Sequence, residues 1–365
     1  MVILTTVLSV TAVSVALAFI IIVAEYFFNN YGECEIDING GNKVLKIEGG
    51  SSLLSALAGQ KIFIPSACGG KATCGLCKVQ VLEGAGPLLP TEEPYLTEDE
   101  RKNHYRLSCQ VKVKNNIRIL VPEELFNIKE FVTTIESVTQ LTHDIKGFKF
   151  KLPDGETVHF KAGQYMQLYT KPYAKVKESV YRAYSIASAP SDDGIVELII
   201  RLVPDGICTT YAHTQLSEGD QVNISGPYGD FYLRGDCKEI VMIAGGSGLA
   251  PMKSIILDVL EKNIDIKMNF FFGAVTKKDL YYLDFFHDLA KRHENLRFIP
   301  ALSKPAPEDN WDGEVGLITE VVDRYIEDCS EMEGYLCGSP GMINACLSVL
   351  NKKGMSDDRI FFDKF

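Results

Sequence analysis

The chain of 365 residues is poor in positive charge. It contains 37 Lys and Arg residues against 48 Asp and Glu residues, which gives a formal net charge of −11 at pH 7. No segment concentrates basic side chains, whereas proteins that bind nucleic-acid phosphates need such a concentration. The composition therefore argues against a nucleic-acid partner.

The ten cysteines are too few and too scattered for a secreted disulfide framework. Such frameworks pack many cysteines into a short chain. Six of the ten lie singly along the sequence, as free thiols in a reducing compartment do: Cys34, Cys208, Cys237, Cys329, Cys337 and Cys346. The sequence also lacks internal repeats and low-complexity segments, and its length is enough for about two or three domains of ordinary size.

No charged residue occurs between Val2 and Val23. At ~1.5 Å per residue, this run of about 22 residues reaches across the ~30 Å core of a bilayer. A cleaved signal peptide is the alternative interpretation, but no Lys or Arg precedes the apolar run, and the aromatic segment Ala24–Phe28 follows it in place of small residues. We therefore predict a single transmembrane anchor over residues 1–24, whose flanks carry too few basic residues to set its orientation.

The segment after residue 66 concentrates three cysteines, Cys68, Cys74 and Cys77, in the spacing C-x5-C-x2-C, and Cys109 follows further along. These four thiols suit a [2Fe-2S] cluster, because a long loop with three thiolates wraps one edge of the cluster while a distant strand supplies the fourth ligand. A structural zinc ion is the alternative, although zinc sites usually take paired C-x2-C knuckles and only one such pair is present. The loop has one residue more than the plant-type spacing.

Patterns of apolar residues divide the rest of the chain into three domains. Residues 33–121 alternate short strands with a Ser-capped helix near 53–58, which predicts a β-grasp-like α+β domain, and residues 122–126 read as a linker. Residues 128–234 contain strands between Gly, Pro and Asp residues, which predicts an antiparallel β-barrel. Residues 236–365 alternate apolar runs with helical stretches, which predicts a parallel sheet with helices on both faces.

The segment Arg182–Ser185 in the predicted barrel has three groups that suit a flavin. The arginine guanidinium can donate two hydrogen bonds to a pyrophosphate, the tyrosine ring can stack on the isoalloxazine, and the serine hydroxyl can reach a flavin nitrogen. Alone, the segment also fits a solvated arginine and a core tyrosine. Together with segments 160–165, 206–211 and 226–229, it resembles the flavin domain of the ferredoxin–NADP reductase superfamily. That resemblance implies that FAD is bound by Arg182, Tyr184, Ser185, Gly206, Thr209, Thr210, Gly226 and Gly229.

A glycine-rich stretch, Gly245–Pro251, follows an apolar strand and precedes a helix, which is the context of a phosphate-binding loop. A second glycine segment begins at Cys337, at the end of another predicted strand, and ligands gather at the carboxyl edge of parallel sheets. We therefore predict a nicotinamide-nucleotide site formed by Gly245, Gly246, Gly248, Pro251, Cys337 and Gly338.

The same superfamily resemblance implies catalytic roles near the end of the chain. It places Cys337 beside the reacting carbon of the nicotinamide, and it makes the terminal Phe365 a cover for the flavin face until nicotinamide displaces it. Asp363 is then close to both. With the hydroxyl of Ser185, these three residues complete the predicted catalytic set.

An anchor, a [2Fe-2S] domain, a FAD barrel and a NAD domain in this order resemble the F-subunit family of sodium-translocating NADH:quinone oxidoreductases. The resemblance runs almost end to end and includes segments 89–92, 106–111, 122–126 and 307–313, which oxygenase reductases generally lack. It implies that NADH gives a hydride to FAD and that single electrons pass through the cluster to other subunits of a quinone-reducing respiratory complex. The implied location is the cytoplasmic (inner) membrane, with the soluble domains facing the cytoplasm.

Two other functions remain open at this point: a reductase component that donates electrons to an oxygenase or another redox partner, and a membrane-tethered ferredoxin without catalytic activity. The connection Tyr169–Tyr181 is shorter than the insertion that the family usually carries there, so the acceptor differs if that insertion docks neighbouring subunits. Lys277 and Lys278 follow Thr276 about where the 2′-phosphate of NADPH would bind. NADPH therefore remains an alternative to NADH as the nucleotide.

Overall fold

The computed structural model describes residues 10–20, 31–235 and 237–364, and it divides the chain into two compact units, Met1–Ile128 and Lys129–Phe365. Residues 10–20 form helix α1. Across the described parts of the chain, no helix is both long enough and apolar enough to cross a membrane. Much of the predicted anchor, residues 1–24, lies outside the described residues.

The first unit is built on a five-stranded sheet in the order β2-β1-β5-β3-β4. Its elements are β1 (Glu33–Ile38), β2 (Lys43–Glu48), α2 (Leu53–Gly59), β3 (Lys78–Glu83), α3 (Glu98–Lys102), β4 (Tyr105–Leu107) and β5 (Ile117–Leu120). Strand β1 pairs antiparallel with β2 and parallel with β5. Helix α2 shares one buried apolar cluster with the sheet. This mixed sheet with a helix against it agrees with the predicted β-grasp-like domain.

Local capping explains where the two helices of this unit begin. The hydroxyl of Ser52 accepts a hydrogen bond from the backbone N–H of Ser55, which confirms the predicted serine cap of α2. Thr97 and Glu100 form a reciprocal capping box at the start of the short helix α3. The loop with three of the four predicted cluster cysteines lies between α2 and β3.

A buried ion pair holds this unit together near the fourth cysteine. Glu92 is fully buried, and the Arg106 guanidinium donates hydrogen bonds to its carboxylate at 2.6 and 3.0 Å. The same guanidinium donates to the carbonyl of Gly86, and the Glu92 carboxylate also accepts from the backbone N–H of Leu107. The pair therefore ties the loop around residues 86–92 to β4, just before Cys109.

The second unit begins with a six-stranded antiparallel sheet in the order β10-β7-β6-β11-β8-β9. Its elements are β6 (Lys129–Gln140), β7 (Ile145–Lys151), β8 (Tyr165–Tyr169), β9 (Tyr181–Ser185), β10 (Ile195–Arg201), α4 (Ile207–Gln215) and β11 (Gln221–Tyr228). An isolated bridge between Ile186 and Leu198 joins the two ends of the sheet. The sheet is thus closed into the predicted barrel.

The second half of this unit is a parallel sheet in the order β15-β14-β13-β12-β16-β17. Its elements are β12 (Glu239–Gly245), α5 (Leu249–Glu261), β13 (Lys267–Ala274), α6 (Leu283–Arg292), β14 (Leu296–Leu302), β15 (Glu314–Val315), α7 (Ile318–Tyr325), β16 (Glu333–Gly338), α8 (Pro340–Lys352) and β17 (Ile360–Lys364). Two buried clusters lie on opposite faces of the sheet. The first strand, β12, is central, and the strand order reverses beside it.

Two helices differ from the expectations of local sequence. Helix α4 is rich in β-branched residues, which disfavour helices, but it buries Cys208, Tyr211 and Ala212 along one face. Helix α5 begins at Leu249, inside the stretch Gly245–Pro251 that the sequence pattern places before the helix. Pro251 is tolerated there because the N–H groups of the first helical turn have no hydrogen-bond acceptor within the helix, so the missing N–H of proline costs nothing.

We expect Arg106→Met to destabilise the first unit by about 3–5 kcal/mol, because the substitution leaves the Glu92 charge buried without a partner. Arg118→Met is the matched control: Arg118 pairs with Glu83 and Asp37 at the surface and is 47% exposed, so loss of each exposed pair costs at most ~1 kcal/mol. The measurement is the urea dependence of amide hydrogen exchange in peptides of the first unit. Equal effects of the two substitutions would contradict the role of the buried pair.

Candidate functional site

The four predicted cluster cysteines lie in two pairs. The Sγ atoms of Cys68 and Cys74 are 3.3 Å apart, and Cys77 is hydrogen bonded to Cys109. The second pair forms because the backbone N–H of Ser108 donates to the carbonyl of Cys77 at 2.8 Å, which brings the end of β4 against the start of β3. The sequence spacing is therefore realised as two neighbouring thiol pairs.

Within each pair, one thiol is far more acidic than the other. Donation from Cys74 lowers the pKa of Cys68 to about 3, and donation from Cys77 lowers the pKa of Cys109 to about 7. The same hydrogen bonds, together with burial, raise the pKa of Cys74 and of Cys77. Each pair thus shares a proton that must leave when both sulfurs become metal ligands.

The donor set fits two irons better than one ion. Within the described ranges, no three His, Cys, Asp or Glu side chains converge on one point, as a single-metal site requires. Two sulfur pairs instead match a [2Fe-2S] cluster, in which two thiolates serve each iron. Cys68 and Cys74 would hold one iron, and Cys77 and Cys109 the other.

Gln110 makes a hydrogen bond to this site that the sequence did not reveal. Its Nε2 donates to the Sγ of Cys109 at 3.6 Å, and its Oε1 accepts from the Thr91 hydroxyl at 2.8 Å, which fixes the direction of the amide. A donor directed at a ligand sulfur favours the more negative, reduced state of a cluster. With Cys109 as a cluster ligand, Gln110 and Thr91 would raise the reduction potential.

The predicted flavin residues Arg182 and Tyr184 lie on β9. The Tyr184 hydroxyl interacts electrostatically with Arg182 and with Cys208 in the first turn of α4, and burial raises the pKa of this tyrosine. Within the described residues, the hydroxyl is buried without a hydrogen-bond partner. An orphaned polar atom of this kind is costly unless a ligand satisfies it. Arg182 and the N-terminus of α4 both suit the pyrophosphate of FAD.

Three other predicted flavin residues have structural roles in the barrel. Thr209 accepts a hydrogen bond from the backbone of Val203 and lies 3.2 Å from the carbonyl of Gly206, so its hydroxyl braces the turn before α4. A side chain at Gly226 would overlap the Met166 sulfur, and one at Gly229 would overlap the Tyr165 ring. Their direct contact with FAD stays a prediction, as do the contacts of Ser185 at the end of β9 and Thr210 in α4.

The two predicted nucleotide-binding segments meet at the carboxyl edge of the parallel sheet. A Cβ atom at Gly248 would lie 2.2 Å from the carbonyl oxygen of Cys337, so only glycine permits this approach. A Cβ atom at Gly338 would lie 2.8 Å from the Met342 side chain and 3.3 Å from the carbonyl oxygen of Gly245. Gly246, between Gly245 and Gly248, has a left-handed conformation with φ of 58°. The result is an open backbone cradle of the kind that nucleotide phosphates occupy.

Cys337 and Asp363 are neighbours on adjacent strands, since they are paired in register between β16 and β17. Burial raises the pKa of the Cys337 thiol, and the charge of Asp363 adds to the effect. Burial also raises the pKa of Asp363 to about 6. Pro251 lies in the first turn of α5, after the glycine cradle. Phe365 lies outside the described residues, so its predicted position over the flavin stays a prediction.

Arg201 is a cation at the cradle that no sequence motif revealed. Its Nη1 lies 3.6 Å from the position of a Cβ at Gly246, and its Nε donates to Asp144 at 2.7 Å. The Tyr281 hydroxyl donates to the carbonyl of Gly246 at 2.8 Å. The arginine comes from β10 of the barrel, so the site combines both halves of the second unit.

Family comparisons identify the three predicted cofactor domains. Residues 36–114 match the 2Fe-2S iron-sulfur cluster binding domain, residues 132–232 the oxidoreductase FAD-binding domain, and residues 242–347 the oxidoreductase NAD-binding domain. The fold and the sites together define an iron–sulfur flavoprotein oxidoreductase that uses a nicotinamide nucleotide.

The chain belongs to the family of the Na(+)-translocating NADH-quinone reductase F subunits. It is 38% identical to the F subunit of Histophilus somni over 97% of both chains, and 38% identical to the F subunit of Neisseria meningitidis over the same shares. The two alignments extend over 399 and 398 positions, more than the 365 residues of this chain. These relatives therefore contain residues that this chain lacks.

Two solved structures share most of the fold. A cytochrome P450 reductase of Amycolatopsis is 28% identical with a TM-score of 0.72, and the ferredoxin reductase in carbazole 1,9a-dioxygenase is 26% identical with a TM-score of 0.68. Each match covers 91% of this chain and 98% of the other. The fold of most of this chain therefore recurs in reductases named for a cytochrome P450 and for a dioxygenase.

We expect Gln110→Leu to lower the reduction potential of the cluster, because it removes a donor to the Cys109 sulfur. A tenfold fall in the ratio of reduced to oxidised cluster at a fixed ambient potential corresponds to about 59 mV, and we expect a shift of roughly this size. Thr91→Val, which releases the amide, shifts the potential less and in the same direction. A dye-coupled redox titration measures both, and a potential equal to that of the exposed control Gln60→Leu would contradict this role.

Proposed function

We propose that this chain is the NADH-oxidising subunit of a sodium-translocating NADH:quinone oxidoreductase. NADH reduces FAD in the second unit, and electrons leave through the [2Fe-2S] cluster of the first. The observation that carries the proposal is identity of 38% over 97% of both chains with an F subunit of that enzyme, combined with all three cofactor sites. Electron transfer to quinone is the activity that those relatives' names state.

The residues of the second unit bind and orient the two substrates of hydride transfer. The glycine cradle around Gly246 and the Arg201 guanidinium hold the nucleotide phosphates, while Arg182 and the α4 N-terminus hold the flavin pyrophosphate. Cys337 and Asp363 line the sheet edge where the nicotinamide enters. Ser185, at the end of β9, would place its hydroxyl against the flavin. When bound, FAD accepts two electrons as a hydride and releases them singly to a one-electron acceptor.

The nucleotide is NADH in this proposal. Lys277, which we considered as a reader of a 2′-phosphate, instead donates its Nζ hydrogen bond to the carbonyl of Asp309 at 2.8 Å. The Asp309 carboxylate accepts from the backbone of Ala306, and the Asp279 carboxylate accepts from Thr276. Two carboxylates at this position disfavour a second phosphate by like-charge repulsion. A higher kcat/KM for NADPH than for NADH would overturn this assignment.

The partners in this proposal are the other, membrane-embedded subunits of the complex, and the anchor over residues 1–24 holds the soluble domains beside them on the cytoplasmic side, where NADH is available. The test is purification of the full-length chain from membranes in mild detergent. Co-purification of multi-span subunits together with NADH:quinone activity supports the proposal, and full activity of the chain alone with a soluble acceptor enzyme contradicts it.

A stand-alone reductase is the second candidate function, because reductases named for a cytochrome P450 and a dioxygenase share the fold over 91% of this chain. The residues that the relatives contain and this chain lacks bear on the same choice. If they dock neighbouring subunits in those relatives, this chain has a different acceptor. Removal of residues 1–24 separates the two functions, since only membrane electron transfer requires the anchor.

We expect Cys74→Ala to abolish the cluster and to spare the oxidation of NADH through FAD with an artificial acceptor. The substitution removes one sulfur of the Cys68 pair, whereas the flavin site lies in the other unit. Cys346→Ala, which removes a buried thiol outside both sites, is the control and keeps the cluster. Electron paramagnetic resonance of the reduced protein reports the cluster. Loss of flavin reduction in Cys74→Ala would contradict the independence of the two sites.

We expect flavin reduction by NADH to accelerate as the pH rises through about 6, the pKa to which burial raises Asp363. Below that pH the carboxyl is protonated and neutral. Above it, the carboxylate stabilises the positive charge that develops on the nicotinamide ring as hydride leaves. The Asp363→Asn variant then reduces flavin more slowly above pH 7, and its kcat/KM does not rise with pH near 6. If the asparagine variant keeps the rise of kcat/KM near pH 6, another group than Asp363 causes it.

A further inference from the structure

A buried polar network joins the barrel to the parallel sheet within the second unit. Lys253 on α5 forms an ion pair with Glu197 on β10, with 2.7 Å between Nζ and Oε2, and the two side chains are only 9% and 7% exposed. The Lys253 ammonium also donates to the carbonyl of Ala187 at 3.2 Å. Beside it, the Ser254 hydroxyl donates to the carbonyl of Ser188 at 2.7 Å.

A tyrosine from the parallel-sheet half completes the network. The Tyr282 hydroxyl donates to the other carboxylate oxygen of Glu197 at 3.0 Å. Tyr282 is held in the left-handed region, with φ of 58°, a conformation that costs free energy for a bulky residue. Lys253, Ser254 and Tyr282 of the parallel-sheet half therefore bind the barrel half, through its backbone carbonyls and the carboxylate of Glu197.

The network connects the two segments that bring the reactants together. On the barrel side, Ala187 and Ser188 follow Ser185 by two and three residues, and they are hydrogen bonded to the backbone of Glu197. On the other side, Lys253 and its neighbour lie in the second turn of α5, directly after the glycine cradle. Two hydrogen bonds, together with the ion pair to Glu197, therefore join the segment after Ser185, on the predicted flavin side, to helix α5, on the predicted nicotinamide side.

We infer that Lys253 and Ser254 are positioning residues for hydride transfer, an inference that rests on the proposed function. In that step the C4–H bond of NADH breaks, and hydrogen with its electron pair bonds to N5 of the flavin, which leaves NAD⁺ and reduced flavin. The network sets the separation of the two reacting atoms. It touches neither reactant and acts through the backbone after Ser185 and through α5.

The physical basis is the steep dependence of such a reaction on geometry. A displacement of about 1 Å at a reacting centre costs on the order of a hundredfold in rate, even when its cause lies far from the chemistry. Binding of NADH, in contrast, depends on the phosphate cradle, which the network leaves intact. Loosening the network therefore slows the step at saturating NADH and leaves the dissociation constant of NADH nearly unchanged.

The test uses the full-length, cofactor-loaded protein in anaerobic rapid-mixing experiments with NADH and with NADH deuterated at C4. The variants are Ser254→Ala, which removes one hydroxyl, and Lys253→Met, which removes the buried cation. Lys262→Met is the matched control, because Lys262 pairs with Asp258 on the same helix but is 60% exposed and outside the network. The readouts are the limiting rate of flavin reduction, its deuterium isotope effect and the dissociation constant of NADH.

We expect the limiting rate to fall about tenfold in both network variants, with the isotope effect retained and the dissociation constant within about twofold of the original. The control keeps the original rate. If Lys253→Met fails to fold, Ser254→Ala decides the question alone. Unchanged limiting rates in the folded network variants would overturn the inference, whereas absence of flavin reduction by NADH in the unsubstituted protein would overturn the proposed function instead.

Discussion

A charge buried in a protein interior is tolerated only beside a partner, and this requirement organises both units of the chain. In the first unit, Arg106 and Glu92 fasten a loop to the strand that leads to Cys109. In the second, Lys253 and Glu197 fasten the barrel to the helix after the glycine cradle. Neither pair contains a predicted cofactor ligand. Each pair lies beside a segment that carries predicted ligands and holds that segment against the rest of its unit.

Sequence patterns revealed the features that are local along the chain. The cysteine spacing, the glycine cradle between a strand and a helix, and the serine cap of α2 all depend on residues a few positions apart. The three sheet types also followed from the periodicity of apolar residues. The two predicted nucleotide segments meet as expected, because parallel strands bring their carboxyl ends to one edge.

The features that sequence did not reveal depend on contacts between distant residues. Glu197 and Lys253 are 56 positions apart, and nothing near either residue indicates the other. Arg201 reaches the cradle from a barrel strand, so its role depends on how the two sheets pack. Helix α4 forms against its local sequence preference, because its β-branched residues favour strands and burial along one face decides its conformation. Thr209, Gly226 and Gly229 belong to the predicted flavin motif, but each also has a packing role in the barrel. The motif alone does not tell a packing role from contact with the cofactor.

The central claim is that electrons enter from NADH at the flavin and leave through the cluster of the same chain. The most direct test is anaerobic mixing of the full-length protein with NADH, with flavin absorbance and the paramagnetic signal of the reduced cluster followed in one sample. The account predicts that flavin is reduced first and that the cluster follows at a rate independent of protein concentration. A cluster that stays oxidised after flavin reduction, or one whose reduction accelerates with protein concentration, would contradict it.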